Sequence, residues 1–431
     1  KIKDKKAIFK NNGSLTLPFE AAFYDSRKKE ISRQWFENIT DMRIISLPRG
    51  TKSIIIDPDE TLPDVNRPNN ATSKPLKFTW VFDDPHYYKR EIFWMPWLFS
   101  WNQYNGWTPG LNFYHGFIPG YDYGVGFRPM WDFQNDKLIG SISYKKDLDN
   151  IAGFYTTSFN LDVRRGSGRS GFHVEFTGTK KEHLRRFPVW KGTISTDFHE
   201  INENAVNNDY YDNINVLAVS FAELEYHNRP NPFLNYYIRT GLKTGINNCR
   251  FMRLNIQSNI YYKFSKDVQT KLRVWVGGFL NSDNLPSQYQ TYLSGDIDPD
   301  FRNNYIFNRT NEVNDLSVGI RQYDIGGPAL HGLFLDEDSR IKGVTDWVAS
   351  ANFDMTLPHI PGRPFFDIAS VAGNETYFDF GIKKSFGPLS IIIPIYQSWE
   401  IDHSLVNNID WIKDRIRFSL TIGQFNIRDL F

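Results

Sequence analysis

The residues that come closest to a catalytic pattern are His199 and Glu200, which are adjacent in the chain. In the zinc pattern HExxH, two histidines on one face of a helix hold the metal and the glutamate acts as a general base. Here Glu203 occupies the position of the second histidine. The remaining histidines are scattered along the chain: His86, His115, His173, His183, His227, His331, His359 and His403. We therefore predict no catalytic, cofactor-binding or metal-binding residue in this chain.

Acidic residues form two groups whose carboxylates could bind a cation. The first group lies in the stretch IIIDPDETLPDVNRPNN and consists of Asp57, Asp59 and Asp64. We interpret these three as turn residues, because no histidine or glycine loop joins them. The second group, DIDPD at residues 296–300, begins like a calcium loop, but Phe301 and Phe307 replace the glycine and glutamate that an EF-hand requires. An irregular cation site at this second group stays open as an alternative.

Basic residues also form two groups, in the stretches RRGSGRS and KKEHLRR. Their members are Arg164, Arg165, Arg169, Lys180, Lys181, Arg185 and Arg186. Clustered basic side chains can bind lipid phosphates, and they are also common in solvated turns. We favour solvated turns and keep phosphate binding as the alternative.

The elements that must position all these residues are β-strands. Between Met252 and Phe264 the even-numbered residues are almost wholly apolar and the odd-numbered residues almost wholly polar. Successive side chains of a strand point to opposite faces, so this alternation predicts a strand and not a helix. Residues 265–267 predict a turn, after which the alternation resumes up to Leu280. A strand of about 14 residues reaches about 48 Å, enough to cross the apolar band of a membrane, about 25 Å thick, at the tilt of a barrel strand.

The same alternation returns in much of the chain, at residues 155–163, 172–176, 234–246, 316–320, 347–356, 378–382 and 416–422. It predicts about 14 strands after residue 105, within a range of about 12–16. The predicted fold is all-β and has three parts. These are a partial Ig-like β-sandwich at residues 1–70, an aromatic-rich linker and barrel entrance at 71–105, and a transmembrane antiparallel β-barrel at 106–431. The alternation ends near Ile422, so the terminal NIRDLF departs from a simple final strand.

Four tryptophans lie close together in the second part: Trp94, Trp97, Trp101 and Trp107. Pro96 and the neighbouring β-forming residues favour strands over an interfacial helix. We interpret the tryptophans as part of an aromatic girdle at a membrane surface. A buried core of a soluble protein and a ligand-stacking site are the alternatives.

The composition excludes several classes of protein. The 50 basic and 49 acidic residues give a net charge of +1, so we expect no nucleic-acid partner. The single cysteine, Cys249, permits no internal disulfide. No apolar run approaches the roughly 18 residues of a transmembrane helix, a condition that a barrel does not need. The opening KIKDKKAIFKNNG reads as though it continues a longer protein.

Four predicted connections are long, at residues 180–213, 281–314, 325–343 and 398–414. Long loops of an outer-membrane barrel belong on one side of the membrane. The predicted strand order instead puts the first two on one side and the last two on the other. Either a strand is missing or extra in the prediction, or one connection is a structured loop on the periplasmic side.

Several stretches resemble a known family. LPFEAAFYDSRKKEISRQWF followed by IIIDPDETLPDVNRPNN resembles the sandwich after the catalytic domain of long M1-family (gluzincin) metallopeptidases of the Bacteroidota. WNQYNGWTPGLNFYHGFIP, FRPMWDFQNDKLIGSISY and the closing stretches resemble the barrel-like half of the same proteins. The resemblance implies that this chain is a non-catalytic, membrane-anchoring part of such a protein. Zinc would then be bound only by a domain upstream of it.

A second resemblance concerns IGGPALHGLF at residues 325–334. It is similar to the inward-folded loop of barrels that insert or export outer-membrane proteins, with His331–Gly332 in place of an arginine–glycine pair. The alternative function for the chain is a structural barrel subunit of an outer-membrane protein assembly, export or uptake complex, with a vestigial peptidase ancestry. A soluble β-rich enzyme or binding module is the third possibility.

The expected location is the outer membrane, with the sandwich in the periplasm. The expected partners are outer-membrane lipid and lipopolysaccharide, the upstream peptidase-like domain and other envelope proteins. A short, proline-stiffened linker at residues 62–74 keeps the upstream part close to one mouth of the barrel.

Overall fold

The computed structural model describes residues 2–3, 6–11, 16–37, 39–40, 42–59, 61–62, 67–72, 76–84, 90–98, 101–102, 105–115, 123–148, 151, 153–166, 168–181, 187–201, 216–247, 249–293, 321–322, 327–332, 343–373, 376–386, 389–398 and 416–420. These residues form strands, turns and two 3₁₀ helices, Arg67–Asn70 and Ser287–Tyr289. In this part of the chain no helix has the length and apolar character needed to cross a membrane.

Twenty-six strands are numbered in chain order. The first twelve are β1 Ile2–Lys3, β2 Lys6–Lys10, β3 Phe19–Tyr24, β4 Glu30–Phe36, β5 Met42–Ser46, β6 Ser53–Ile56, β7 Leu76–Trp80, β8 Arg90–Trp97, β9 Trp101–Asn102, β10 Gly106–Trp107, β11 Gly110–His115 and β12 Tyr123–Asp132. The next are β13 Lys137–Leu148, β14 Thr156–Gly166, β15 Arg169–Lys181, β16 Val189–Ile201, β17 Val216–Asn231, β18 Leu234–Ile246, β19 Met252–Lys263 and β20 Gln269–Asn281. The last are β21 Arg321–Gln322, β22 Val348–Met355, β23 Arg363–Val371, β24 Thr376–Phe386, β25 Leu389–Gln397 and β26 Arg417–Leu420.

The chain divides into two compact units. The first contains Lys1–Trp97 and Leu111–Arg128, and the second contains Leu98–Gly110 and Pro129–Phe431. The segment 71–105, predicted as a linker and barrel entrance, contains the short strands β7, β8 and β9.

The first unit contains a small sandwich of two three-stranded sheets, ordered β1-β2-β5 and β4-β3-β6. Inward-facing apolar side chains of both sheets form one core, made of Ala7, Phe9, Ala21, Phe23, Phe36, Ile39 and Ile54. The rings of Phe9 and Phe36 meet edge to face with their centroids 5.1 Å apart. The partial sandwich is therefore confirmed.

Asp57 and Asp59, two of the three acidic residues after β6, lie in a turn, as predicted. The carboxylate of Asp57 accepts hydrogen bonds from the backbone N–H groups of Thr61 and Leu62, both at 2.9 Å. Asp59 pairs with Arg33 at 2.6 Å. Hydrogen bonds to Glu30 and Asp59 raise the pKa of Arg33 above its usual range. The third residue, Asp64, lies outside the described residues.

The large sheet closes on itself. Sixteen strands, β11 to β26, follow one another in its order among the described residues, and β7 and β8 complete the circle. From β13 to β20, and again from β22 to β26, neighbouring strands are antiparallel. The two-residue β21 pairs in parallel with β26, while β20 pairs directly with β22. The all-β barrel is therefore confirmed.

The polarity of the barrel wall is the reverse of that of a soluble protein. On β19 the apolar Ile256 is 49% exposed, whereas the polar Asn259 is 1% exposed. On β22, Ser350, Asn352 and Asp354 are buried and alternate with exposed or half-buried apolar residues. Apolar side chains thus cover the outside of these strands, and many of the side chains on the inside are polar.

The strand β16 corrects one predicted connection. Residues 180–213 were predicted as a single long loop, but Val189–Ile201 pairs along its length with β15 and β17. The hairpin β19–β20 is as predicted, and its turn at residues 265–267 is closed by a 3.0 Å bond from the N–H of Phe264 to the carbonyl of Val268.

With β16 included, the connections sort cleanly between the two ends of the second unit's strands. One end, which we call the long-connection end, carries residues 167–168, 202–215, 247–251, 282–347, 372–375 and 398–416. The other, the short-connection end, carries residues 149–155, 182–188, 232–233, 264–268, 356–362 and 387–388. The conflict over loop sides came from the strand predicted at residues 316–320, which lies outside the described residues. Because β20 pairs directly with β22, the predicted connections 281–314 and 325–343 belong to one connection between these two strands.

Candidate functional site

Part of the connection between β20 and β22 folds into the barrel. Residues 327–332, which we call the internal segment, are all buried. They lie within the stretch IGGPALHGLF, whose sequence predicted an inward-folded loop. Because a buried backbone must find hydrogen-bond partners, the wall around the segment has to supply them.

The main donors come from one row of inward-facing residues on adjacent strands. Arg273 on β20 lies opposite Asn352 on β22, which lies opposite Asp367 on β23. The guanidinium of Arg273 donates to the carbonyls of Gly327 at 2.5 Å and Pro328 at 3.3 Å. The amide of Asn352 donates to the carbonyl of Ala329 at 3.0 Å. Three consecutive carbonyls of the internal segment are therefore held by two side chains.

His331 is the one ionisable side chain of the internal segment, and it contacts Asp367. The carboxylate Oδ2 of Asp367 accepts from the backbone N–H of His331 at 2.8 Å and from its Nδ1 at 2.5 Å. Lys383 on β24 places its ammonium 3.5 Å from Nε2 of the same ring. An ammonium only donates, so Nε2 is the acceptor and Nδ1 carries the proton. The ring also lies over Phe365, with centroids 4.5 Å apart.

The far side of the internal segment is held by the last strand described. Arg417 on β26 donates through Nη1 to the carbonyls of His331 at 3.1 Å and Gly332 at 2.7 Å. Its side chain has no exposed surface. Arg273 and Arg417, from strands well separated in sequence, thus hold the two ends of one short segment.

Apolar contacts complete the packing around the internal segment. Leu330 is fully buried in a cluster with Trp275, Leu293, Val348, Ala369 and Val371. Its N–H donates to the carbonyl of Leu293 at 2.8 Å. Ala329 has a φ of 55°, a left-handed conformation that costs free energy in a residue with a Cβ. The hydrogen bonds and the apolar cluster together keep the segment in this conformation.

The side chains of this arrangement hold a backbone segment in position and carry out no reaction on it. Arg273, Asn352 and Arg417 donate to main-chain carbonyls, which carry no leaving group and no proton to transfer. A buried set of such contacts fixes a segment in place and satisfies its backbone. We therefore assign the cluster the role of holding the internal segment inside the barrel.

The pair His199–Glu200 lies on β16, a strand and not a helix. Adjacent residues on a strand point to opposite faces, and accordingly His199 is buried while Glu200 is exposed. The two side chains cannot serve one site. Among the described residues no group of three or more metal-ligating side chains comes together. The absence of catalytic, cofactor and metal residues stays a prediction.

The other described histidines belong to separate local contacts. His173 pairs with Asp197 at 2.7 Å, and Nε2 of His227 lies 2.6 Å from the Asn235 side-chain oxygen. His115 contacts the hydroxyl of Tyr123 at 3.2 Å, and His359 is a turn residue with a φ of 68°. His86, His183 and His403 lie outside the described residues.

The predicted ion-binding groups are only partly described. Arg164 contacts Asp162 at 3.2 Å, Arg169 is buried, and the ammonium of Lys181 lies 5.4 Å from the centroid of the Tyr155 ring. Arg165 and Lys180 are exposed near strand ends. Arg185, Arg186 and the acidic stretch 296–300 with Phe301 and Phe307 lie outside the described residues, so their roles stay predictions.

The predicted girdle tryptophans fall into different contacts: the guanidinium carbon of Arg128 lies 4.1 Å from the centroid of the Trp97 ring, and the side chain of Trp101 is not among those described. Trp94 packs on Trp80 in the first unit, with ring centroids 4.8 Å apart. In the second unit, Trp107 stacks on Phe133 with centroids 6.0 Å apart, and both side chains are exposed.

The site residues that the sequence pattern did not single out are Arg273, Asn352, Asp367, Lys383 and Arg417. The available signal was the alternation itself. A charged residue between two outward-facing apolar neighbours, such as Asp367 between Phe366 and Ile368, marks an inward-facing position.

Comparisons with solved structures show a likeness of fold. No protein-family model and no curated protein matches the sequence. The fold is similar to the crystal structure of BamA from Haemophilus ducreyi lacking POTRA domains 1–3, with a TM-score of 0.38 and 11% sequence identity. The match covers 71% of this chain and 66% of that chain, just under two thirds of its length. At this score the likeness assigns neither a membrane nor a function to the chain.

Proposed function

We propose that this chain is an outer-membrane β-barrel whose role is structural and not catalytic. The observation that carries the proposal is the reversed polarity of the wall. Ile194 near the middle of β16 is 66% exposed, and its neighbours Thr193 and Ser195 are buried. In water this arrangement would expose a wide apolar surface and bury the polar side chains, which is costly. In lipid the same arrangement is favourable.

The dimensions of the strands support a membrane location. Strands β18 to β20 contain 12 or 13 residues. At about 3.4 Å per residue such a strand is about 42 Å long, which exceeds the apolar band of about 25 Å after tilting. Exposed aromatic residues collect near the short-connection end: Tyr155, Trp190, Phe233, Tyr262, Phe264 and Phe386. Aromatic residues at this level are typical of the girdle at a membrane surface.

The distribution of connections supports an orientation. The longest connections, residues 202–215, 282–347 and 398–416, all leave from one end. Outer-membrane barrels place long loops outside the cell and short turns in the periplasm. We propose the same orientation here. Barrels with an even number of strands also begin and end in the periplasm, and on this basis the sandwich lies there too.

The finer proposal is that the barrel anchors a larger envelope protein. The resemblance of the sandwich and barrel stretches to long M1-family metallopeptidases of the Bacteroidota supports a non-catalytic anchoring part, with zinc and catalysis in an upstream domain. Its contacts would be lipid, lipopolysaccharide, that domain and other envelope proteins.

A second candidate function is favoured by the internal segment. A barrel that only anchors another domain does not need a six-residue segment held inside it by Arg273, Asn352, Asp367 and Arg417. The similarity of IGGPALHGLF to the inward-folded loop of assembly and export barrels supports a structural subunit of an assembly, export or uptake complex.

Fractionation tests the membrane proposal. We expect the chain to stay in the outer-membrane pellet after sodium carbonate treatment and to be released by detergent. Release by carbonate alone would rule out both membrane functions and leave the soluble β-rich protein. To test the orientation, an epitope tag inserted in residues 202–215 should be labelled on intact cells, and a tag in residues 264–268 only after the outer membrane is opened. The reverse labelling would contradict the orientation.

The two candidate functions differ in what lies upstream and in what binds the barrel. An intact HExxH pattern in the upstream sequence, with zinc-dependent peptidase activity of the whole protein, supports the anchor. A degraded pattern, together with envelope proteins that co-purify with the barrel in stoichiometric amounts, supports the subunit of a complex.

A further inference from the structure

Three cationic side chains lie around a single carboxylate at the short-connection end of the barrel interior. The carboxylate belongs to Asp354, near the end of β22. The cations are Lys271 near the start of β20, Arg363 at the start of β23 and Lys383 on β24. We call these four residues the cationic mouth. They are distinct from the row that holds the backbone of the internal segment.

Two of the cations share Asp354. Arg363 donates to its Oδ1, with Nη2 at 2.5 Å and Nε at 2.7 Å. The ammonium of Lys383 lies 2.6 Å from Oδ2. Both oxygens of the carboxylate are therefore engaged by Arg363 and Lys383.

The third cation, Lys271, lacks such a partner among the described residues. It lies directly opposite Asp354 on one side and Tyr261 on the other. Its ammonium lies 5.7 Å from the centroid of the Tyr261 ring, and no described carboxylate lies within the 4 Å of an ion pair. The cationic mouth thus holds three positive charges and one negative charge.

This excess of positive charge lies in a partly enclosed position that a ligand can still reach. The side chains of Arg363 and Lys383 are 35% and 21% exposed. Charges of one sign at the wall of a low-dielectric cleft concentrate ions of the opposite sign. The inner limit of the mouth is the internal segment, because Lys383 also contacts the ring of His331 at 3.5 Å.

We propose that the cationic mouth binds an oxyanion, the phosphate or carboxylate group of a ligand that enters from the short-connection end. A guanidinium fork and two ammonium groups are the donors that proteins use for such groups. The bound group would contact Lys271 and Lys383 and lie next to His331 of the internal segment. The inference needs only the barrel fold, and it goes beyond the structural role proposed above.

The test measures anion binding to the folded barrel in a maltoside detergent, which carries no phosphate. Isothermal titration with inorganic phosphate and, separately, with acetate shows which oxyanion is preferred. We expect saturable binding of at least one of them, weakened at high ionic strength because salt screens the charges. The double variant Lys271→Gln, Lys383→Gln should bind about tenfold more weakly, a change of about 1.4 kcal/mol.

The matched control is Lys384→Gln. Lys384 is adjacent to Lys383 but exposed on the other face of β24, where its ammonium lies 5.2 Å from the Phe386 ring. This variant should bind as the wild type does. Folding of each variant is checked by its heat-modifiable migration on a gel. If the double variant fails to fold, Lys271→Gln alone is measured, because Lys271 has no described ion pair to lose.

Three results would overturn the inference. The first is no saturable binding of either anion by the folded wild type. The second is equal binding by the wild type and the Lys271→Gln variants. The third is an equal loss of binding in Lys384→Gln. Each is read on folded protein in detergent, so none depends on the fractionation that tests the membrane proposal.

Discussion

Asp367 is the side chain on which the contacts of the internal segment converge. It accepts two hydrogen bonds from His331 through Oδ2 and one from the amide of Asn352 through Oδ1, the last at 3.1 Å. Directly opposite on β24 lies Asp379, and neither carboxylate has exposed surface. The two residues are equally buried and differ in their neighbours. Asp367 accepts hydrogen bonds from the internal segment, and Asp379 adds a second buried carboxyl directly opposite it.

This difference predicts that the same substitution, aspartate to asparagine, changes the free energy of unfolding by different amounts at positions 367 and 379. Asp367→Asn removes the charged acceptor of two His331 donors, and we expect the free energy of unfolding in lipid vesicles to fall by about 2 kcal/mol. Asp379→Asn replaces a buried carboxyl, directly opposite Asp367, by a neutral group of the same shape, and we expect a change within about 0.5 kcal/mol or a gain. Urea unfolding followed by tryptophan fluorescence measures both. Equal losses in the two variants would show that Asp367 has no special role.

A second prediction at the residue scale concerns adjacent positions on β19. Ile256→Arg places a charge on the outward face near the middle of the strand, and we expect a loss of about 2 to 4 kcal/mol in lipid. The same change at Asn255, on the inward face, should be tolerated. Asn255 is a cleaner control than Gln257, because Gln257 accepts a 3.0 Å bond from Arg273 and an arginine there would face a like charge. Similar losses at 255 and 256 would contradict the assignment of faces.

At the scale of elements, the sequence predicts strands well where both faces are uniform. The hairpin β19–β20 alternates almost without exception, and its register and turn are as predicted. Strand β16 was missed because its outward face mixes Trp190, Ile194 and Phe198 with Gly192 and Thr196. The apolar face of β16 is therefore interrupted, and the alternation that indicates other strands is weaker there. The connection 180–213 was predicted for that reason.

The register of β16 gives a prediction with an internal control. A Cβ added to Gly171 on β15 would lie 1.9 Å from the carbonyl oxygen of Phe198, whereas a Cβ on Gly192 would meet nothing within 4 Å. Gly171→Ala should therefore lower the unfolding free energy by about 1 to 3 kcal/mol. Gly192→Ala should change it by less than about 0.5 kcal/mol. The same urea titration checks both, and a harmless Gly171→Ala would mean that β15 and β16 pair differently.

The side chains that contact the internal segment could not be predicted from the sequence, for a different reason. Residues such as Arg273, Asp367 and Arg417 come together only after the sheet closes and each strand takes its register. Alternation tells which face a residue occupies, but it does not tell which inward-facing residues meet. The stretch IGGPALHGLF resembles an inward-folded loop in sequence, but the resemblance does not identify the partners of its backbone.

At the scale of the whole molecule, closure of the sheet is consistent with the apolar outside of the wall, the polar side chains inside it and the distribution of the connections. A closed sheet pairs every backbone group of its strands, which is the condition for crossing lipid with strands. Its outside is then free to be apolar, and the polar side chains turn inward to hold the internal segment. The long connections gather at one end, which the orientation proposed above places at the cell exterior.

The most direct test of this account is the lipid contact of each residue along β19. Single cysteines at positions 252–263, in a Cys249→Ala background, carry a fluorescent label, and the protein is folded into vesicles of brominated lipid. We predict quenching that alternates with a period of two residues, strong at Leu254, Ile256 and Ile260 and weak at Asn255, Gln257 and Asn259. Quenching that is uniform along the strand, or absent from it, would contradict a barrel that spans the membrane.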